Sequence, residues 1–344
     1  MGRSTTYNNI TSEEKISLCN KENLQLASDF LEYLSSIDRA KTTIDAYSHD
    51  LNIFWCWNME FNKNKFFVDL SKRDIVKFQN HAINVWKWSP KRTRRVKSTL
   101  SSLSNYIENI LDDEFDDYRP IVRKIENPVN DTVREKTVFQ DAELQSLLDY
   151  LVEKQDYYKA CTLALAMYSG RRKSELPRFK VSYFEESNVM FGSLYKTPEK
   201  VVTKGRGSRG KLLDLYVLKN QFDPYLKLWL QQRKELGIES EWLLPKYKNG
   251  EWIDEPISTT TLDSWCKTFT RILGKDFYFH SLRHYFTTSL AKANIPDSII
   301  QEIVGWTSAD MVKIYNDTTT DESLGKYFDA GGVKTVVANT LDSL

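Results

Sequence analysis

The chain has 344 residues, enough for two domains with separate cores, and a composition of 41% hydrophobic and 28% charged residues that is ordinary for a globular protein. Its net charge of +1 gives no sign of a polyanionic partner, no apolar run of about 18 residues predicts a membrane span, and the first residues lack a hydrophobic signal core. Four scattered cysteines argue against a disulfide framework and against a zinc site, so we expect a cytoplasmic protein.

The first 125 residues predict an all-helical domain. Residues 1–20 are polar, and we expect them to form a flexible N-terminal segment. Between residues 21 and 125, apolar residues recur with a helical period, for example in TTIDAYSHDLNIF and STLSSLSNYIENIL. Residues 126–137 combine a proline with Asn and Asp turn formers and have no apolar period, so they predict a linker.

Positive charge is concentrated within this helical region. From Lys72 to Lys97, nine basic residues stand against a single acid, Asp74, whereas residues 108–117 contain six acids. A solvated helix face could carry such charges without any partner, but charges that serve only solubility are usually interspersed. Segregated basic residues are typical of proteins that bind the phosphate backbone of nucleic acids. The candidate DNA-binding residues of this stretch are Lys87, Lys91, Arg92, Arg94, Arg95 and Lys97.

Residues 138–344 predict a second, mostly helical domain with one small sheet. The segment DAELQSLLDYLVEK predicts a helix capped by Asp141, and YYKACTLALAMYSG predicts a second helix that stops at Gly170. Short strands are expected in NVMFGSLY, KVVTK and KLLDLYVL, the last two joined by the turn GRGSRG, and helices return from about Pro224 to the end. The predicted fold class is mainly α with a small antiparallel β-sheet.

Taken one at a time, the polar residues of this domain have structural explanations. Arg171 and Arg172 follow a helix-ending glycine and could be solvated charges. His280 and Arg283 are three apart and share one helix face, where both side chains could contact a single group. Tyr315 is spaced like a packing residue on a short helix. The basic turn near residue 204 could simply be an exposed hairpin.

In this order, however, the set fits phosphodiester transfer without a metal ion or a cofactor. Two arginines would bind the non-bridging oxygens and offset the charge that develops on a pentavalent phosphorus. A histidine would handle the proton of the nucleophile, and a lysine would protonate the leaving 5′-oxygen. A tyrosine hydroxyl would hold the DNA end covalently, which conserves the bond energy. No set of carboxylates suited to paired magnesium ions is visible.

The motifs resemble those of the tyrosine recombinases, the phage-integrase and Xer-like family. SGRRKSEL resembles the box around the first catalytic arginine, and VVTKGRGSRGKLL resembles the family's β-hairpin. HSLRHYFTTSLAKANIPDSIIQEIVGW and DMVKIYND resemble the boxes of the second arginine and of the nucleophile. The resemblance implies the following catalytic residues: Arg172, Lys204, His280, Arg283, Trp306 and Tyr315.

Two of these assignments have competitors. The family usually has an apolar residue at position 171, so either Arg171 or Arg172 could bind the phosphate. On the hairpin, Lys200, Arg206 and Lys211 compete with the lysine at 204. Three basic residues of this domain are expected to contact DNA without a catalytic role: Arg171, Arg206 and Arg209.

The resemblance implies a site-specific DNA recombinase, of a mobile element or of chromosome resolution, that works through a 3′-phosphotyrosine. A core-binding domain and a catalytic domain would close as a C-shaped clamp on duplex DNA in the nucleoid. The protein would be a monomer in solution and a homo-tetramer in the synaptic complex, joined through a tail at about residues 317–344. In this tail we expect a short helix around Ser323 to Phe328 and an apolar stretch at Val333 to Val337. Alternatives are a type IB topoisomerase-like enzyme, a hairpin-forming resolvase, or a non-catalytic DNA-binding factor on the same fold.

Overall fold

The computed structural model describes residues 10–129, 137–203, 210–308, 310–315, 328–329 and 332–333. The chain divides into two compact units, with the main boundary between residues 134 and 135. Helices dominate the described residues of both units and the strands are short, which confirms the predicted fold class. Within the described ranges, no helix has both the length and the apolar character that crossing a bilayer requires.

The N-terminal unit is helical throughout its regular structure. Its helices are α1 (Glu13–Ser17), α2 (Lys21–Ser36), α3 (Lys41–Phe61), α4 (Lys72–Asn84) and α5 (Pro90–Ile110). A capping box between Ser71 and Asp74 begins α4, and Ser89 caps α5 just before a proline in its first turn. The inward faces of α3, α4 and α5 form an aromatic core, in which Phe54 and Phe78 meet edge to face at 5.0 Å.

The C-terminal unit is arranged around one apolar helix. Its helices are α6 (Asp141–Glu153), α7 (Tyr157–Ser169), α8 (Lys219–Glu235), α9 (Thr259–Leu273), α10 (Phe279–Lys292), α11 (Asp297–Val304) and α12 (Asp310–Tyr315). Every residue from 160 to 167 of α7 is buried, because α6, α8 and α10 pack around it. A helix that is apolar on all sides is typical of such a central position. The residues that follow α7 therefore begin deep inside the unit.

Short antiparallel strands complete the C-terminal unit. They are β1 (Val189–Met190), β2 (Leu194–Lys196), β3 (Val201–Thr203), β4 (Lys211–Leu213), β5 (Tyr216–Leu218), β6 (Pro245–Lys248), β7 (Glu251–Pro256), β8 (Phe328–Asp329) and β9 (Gly332–Val333). Strands β1, β2 and β5 form one sheet in that order, while β3–β4, β6–β7 and β8–β9 form separate pairs. The β3–β4 pair, in which Thr203 lies opposite Lys211, is the predicted hairpin.

The prediction of a single sheet was wrong. NVMFGSLY holds two strands, β1 and β2, because Phe191 and Gly192 adopt positive φ angles of 53° and 68° and turn the chain between them. KLLDLYVL is divided between β4 and β5, which belong to different sheets. The β6–β7 hairpin interrupts the region that was predicted to be helical beyond Pro224, and α8 already begins at Lys219. Its strands are mostly exposed, so the sequence shows no alternation of apolar residues there.

Two smaller expectations also differ from the structure. Asp141 is the first residue of α6 rather than its cap; Gln140 is the N-cap residue, and its backbone N–H donates to Glu143 Oε2 at 2.8 Å. The helix expected around Ser323 to Phe328 lies outside the described residues except for Phe328, which pairs with Val333 in the β8–β9 pair.

Candidate active site

The site begins where α7 ends. Gly170 closes that helix in the left-handed conformation, with φ of 59°, as the sequence predicted. A Cβ at this position would overlap the ring of Phe286 on α10, 2.8 Å from its Cγ. Only glycine therefore permits both the turn and the close approach of α7 to α10. This approach places the residues after α7 beside the helix that carries His280 and Arg283.

Arg172 is the partly exposed arginine of the pair. Its side chain is 26% exposed, and its Nη1 donates to Glu175 Oε1 at 2.9 Å. The backbone N–H of Arg172 donates to the other oxygen, Oε2, at 3.1 Å. Burial by itself raises the pKa of Glu175, but the adjacent Arg171 and Arg172 outweigh it and hold the pKa below the ordinary value. An ionised, buried carboxylate thus fixes the orientation of Arg172.

Arg171 is buried, with only 1% of its surface exposed. Its Nε donates to Ser169 O at 3.2 Å, and its Nη2 donates to Ile303 O at the end of α11. Burial lowers its pKa to about 10, which still leaves the guanidinium charged at neutral pH. Arg171 therefore joins the end of α7 to the end of α11.

Arg283 is fully buried on α10. Its Nη1 donates to Gly170 O at 2.9 Å, and its Nη2 donates to Val304 O at 3.0 Å. Burial lowers its pKa to about 9, and the charges of Arg172 and Arg171 act in the same direction. The guanidinium carbon lies 5.1 Å from the ring centre of Trp306 and 6.0 Å from that of Tyr315. Three positive charges are thus collected around one carboxylate.

Tyr315, at the end of α12, lies between aromatic side chains. Its hydroxyl is 2.8 Å from Nε2 of His280. His284, one helical turn further along α10, stacks on the phenol ring with centroids 4.3 Å apart and an angle of 24°. Trp306 packs against the same ring at 4.8 Å. The hydroxyl is therefore held at the histidine by rings that fix the phenol from its sides.

Trp306 is brought to the site by a tight turn after α11. Gly305 adopts φ of 77°, and a Cβ there would overlap Cδ1 of Leu213 on β4. The indole is 6% exposed, and its N–H has no hydrogen-bond partner within the described ranges. The same holds, in that part of the chain, for Nη1 of Arg171 and Nε of Arg283. Buried donors without acceptors are rare in proteins, and two of these three belong to residues beside Tyr315, which indicates a place for an anion.

The structure thus brings together five of the six predicted catalytic residues. They are Arg172, His280, Arg283, Trp306 and Tyr315. The sixth, Lys204, and the basic residues Arg206 and Arg209 lie outside the described residues, between β3 and β4. Lys211, which competes with Lys204 for the role of the catalytic lysine, lies in β4 opposite Thr203.

Sequence reasoning gave no role to His284. Its contact with Tyr315 was open to prediction, since it lies four residues after His280 and therefore on the same face of α10. Sequence reasoning gave no role to Glu175 either. Its spacing of three from Arg172, across a helix-ending turn, was the available signal for the ion pair.

The six residues of the N-terminal unit that were predicted to bind DNA fall into three groups. Lys87, Lys91 and Arg94 are exposed and have no ion pair among the described residues. Arg92 and Arg95 pair with Asp50 of α3, at 3.1 and 3.2 Å. The prediction that Lys97 binds DNA is wrong. Its ammonium group donates to Gln79 Oε1 and to the carbonyl oxygens of Ile125 and Glu126 at 2.8 to 3.1 Å, and the residue is 3% exposed.

Comparisons with known proteins identify the family. The model described as the phage integrase family matches residues 137–322, and the model of the phage integrase N-terminal SAM-like domain matches residues 26–117. The SPbeta prophage-derived recombinase-like protein YomM of Bacillus subtilis is 29% identical over 259 residues, 74% of each chain. A tyrosine recombinase of Thermosipho africanus is 24% identical over 310 residues, 88% of this chain and 96% of the relative.

Solved structures share the fold. The Tn1549 transposon integrase in complex with a circular intermediate DNA matches with a TM-score of 0.64 at 15% identity, over 88% of this chain and 98% of that one. The XerH site-specific recombinase bound to a palindromic difH substrate matches with a TM-score of 0.62 at 15% identity, over 88% and 94% of the two chains. The family predicted from the motifs is confirmed: the chain belongs to the phage integrase family of tyrosine recombinases, which are DNA strand transferases.

Proposed function

We propose that the chain cleaves and rejoins duplex DNA at specific sites, with Tyr315 as the nucleophile. The observation that carries the proposal is the 2.8 Å contact between the Tyr315 hydroxyl and Nε2 of His280, beside the buried guanidinium of Arg283. In the reaction, the phenol oxygen bonds to the scissile phosphorus, its proton passes to His280, and the bond to the 5′-oxygen breaks. The products are a 3′-phosphotyrosine and a free 5′-hydroxyl.

Arg172 and Arg283 are the proposed phosphate ligands. Arg172 is partly exposed and oriented by Glu175, as a residue that meets an incoming substrate must be. Arg171 has its Nε and Nη2 on carbonyl oxygens, so it supports the site from behind and adds positive charge. The unpartnered donors Nε of Arg283 and Nε1 of Trp306 would bind the oxygens of the pentavalent phosphorus, where new negative charge develops.

The leaving oxygen needs a proton, and Lys204 is the proposed donor. The strands that flank it in the sequence, β3 and β4, pair with each other as in the predicted hairpin. The free 5′-hydroxyl of a partner duplex then attacks the phosphotyrosine, restores the phenol and completes the exchange. No ATP is consumed, because the bond energy is conserved in the covalent intermediate.

DNA and further copies of the chain are the proposed partners. The N-terminal unit, as a core-binding domain over about residues 21–125, and the catalytic domain over residues 138–344 would both contact the duplex. The solved structures of the Tn1549 transposon integrase with a circular intermediate DNA and of XerH with a palindromic difH substrate support DNA as the substrate. A monomer in solution would assemble into a tetramer on two sites through its tail, about residues 317–344. Four cysteines outside disulfides support the cytoplasm, with its reducing conditions, as the compartment.

A covalent trap tests the proposed chemistry. Duplexes that bind the protein are first enriched from a random library. They are then nicked near the stretch of DNA that the protein protects, incubated with protein in EDTA, and run on denaturing gels. We expect a protein–DNA adduct with wild type and with Tyr247→Phe, a matched exposed tyrosine, and none with Tyr315→Phe. An adduct that survives Tyr315→Phe would assign the nucleophile elsewhere. Binding without any adduct would favour the non-catalytic DNA-binding factor.

Supercoil relaxation separates recombination from the topoisomerase-like alternative. The protein is incubated with one supercoiled plasmid that carries two selected sites and with another that carries none. We expect exchange between the two sites of the first plasmid, and we expect the plasmid without sites to stay supercoiled. Relaxation of both plasmids without exchange would support the type IB alternative instead.

A further inference from the structure

The N-terminal unit contains a buried acid that faces its basic surface. Asp50 of α3 is fully buried, with 0% of its surface exposed. Its Oδ1 lies 3.1 Å from Nη1 of Arg92, and its Oδ2 lies 3.2 Å from Nε of Arg95 and accepts the Thr99 hydroxyl at 3.2 Å. These three partners recur at helical spacing along one face of α5. A single carboxylate thus holds two arginines of the segment that carries the positive charge.

Both arginines reach the surface from this anchor. Arg95 uses only its Nε at Asp50 and keeps 48% of its side chain exposed. Arg92 is 21% exposed, and its guanidinium carbon lies 5.0 Å from the ring centre of Trp88, which is itself buried against the core. Lys91 and Arg94 are exposed beside them on the same helix. In the part of the chain that the structure describes, the charged groups paired with Asp50 are these two arginines.

We propose that Asp50 is a positioning residue for DNA binding, which holds Arg92 and Arg95 in the orientations that bind backbone phosphates. The inference rests on the proposed function, and it adds to it a buried acid that makes no contact with DNA itself. A guanidinium that is already oriented loses less side-chain freedom when a phosphate docks on it. Its planar fork also binds two phosphate oxygens only when its plane is correctly set.

This role and a purely electrostatic role predict opposite effects of removing the acid. Asp50→Asn keeps the shape of the side chain and removes one negative charge from the face that meets the DNA. If only net charge mattered, the variant would bind the polyanion more tightly. If Asp50 positions the arginines, both guanidiniums lose their fixed partner, and binding weakens even though the surface has become more positive.

The experiment compares full-length variants on one probe, a random-sequence duplex of about 30 base pairs, by fluorescence anisotropy over a range of salt concentrations. Asp50→Asn is expected to bind about tenfold more weakly than wild type, from the ordering of two side chains. The matched control is Asp45→Asn, which removes an exposed acid from the same helix and is expected to bind as tightly as wild type or slightly tighter. Thermal unfolding establishes that each variant is folded.

A second variant keeps the test decisive if Asp50→Asn does not fold. Arg95→Lys preserves the charge at a half-exposed position but lacks the guanidinium whose Nε lies beside Asp50 Oδ2. It is expected to weaken binding of the same duplex several-fold. In the double variant, Asp50→Asn should add a smaller loss than it causes alone, because only Arg92 then loses its partner. The inference would be overturned if a folded Asp50→Asn bound the duplex as tightly as wild type or tighter, or if Arg95→Lys had an unaltered affinity. In either case, binding by wild type would leave the proposed function standing. Failure of wild type to bind the duplex would overturn both.

Discussion

Gly170→Ala is the substitution whose effect can be worked out most directly from the structure. Alanine at φ of 59° has a backbone cost of about 1 kcal/mol, because its Cβ crowds the adjacent carbonyl in the left-handed region. The same Cβ overlaps the ring of Phe286, and forcing an extra methyl group into a packed core costs about 2 kcal/mol more. We therefore expect the C-terminal unit to lose about 3 kcal/mol of unfolding free energy.

Gly237→Ala is the matched control. Gly237 has a similar φ of 65°, but a Cβ there would meet no atom within 4 Å, so only the backbone cost of about 1 kcal/mol applies. Calorimetry should show a fall in melting temperature of about 6 to 12 °C for Gly170→Ala and about 2 to 4 °C for the control. In a Phe286→Leu background the difference should shrink. Equal losses at the two glycines would refute the claim that close packing of α7 against α10 requires residue 170 to be glycine.

Three further predictions concern charge and hydrogen bonding. Glu175→Gln should lose about 3 kcal/mol of unfolding free energy at pH 7, because two arginines lose their buried partner. Since the folded pKa of Glu175 is depressed, wild type has this contribution above the unfolded pKa and loses it as pH falls through the folded pKa. Urea unfolding should therefore show a smaller stability difference between wild type and variant in acid. Trp306→Phe keeps the ring but removes the indole N–H, so covalent adduct formation should slow about 10- to 100-fold while duplex affinity stays unchanged; an unaltered rate would exclude a role for that N–H. Lys97→Met should lose about 2 kcal/mol of stability and bind DNA with the same salt dependence as wild type. Lys91→Ala should keep its stability and lower the slope of log affinity against log salt concentration by about one. The reverse pattern would contradict the burial of Lys97.

The cluster of candidate catalytic residues was open to prediction because its members lie at element ends and on one helix face. Gly170 marks a helix end by its chemistry, and the spacing of His280 and Arg283 places both on one side of α10. The convergence of Tyr315 on that face followed from the ordered motifs, since no local pattern links residues 35 positions apart. Which of Arg171 and Arg172 is buried and which is partly exposed was not open to prediction, because this depends on which carbonyl oxygens the fold brings near.

The errors have equally specific causes. Lys97 continues the buried face of α5 that includes Thr93, Leu100 and Ile107, so its spacing indicated burial, but its charge argued for exposure. Its compensating carbonyl oxygens come from residues 28 and 29 positions further on, which a sequence pattern does not show. The β6–β7 hairpin was missed because its strands are largely exposed and lack alternation.

Gly305 has a consequence for how the parts of the site move. With no side chain at this position, Cδ1 of Leu213 rests directly against the backbone that carries Trp306. The β3–β4 hairpin and the Trp306 turn are therefore mechanically linked, since neither can shift without displacing the other. A displacement of β4 would therefore also displace the indole ring from its contact with Tyr315.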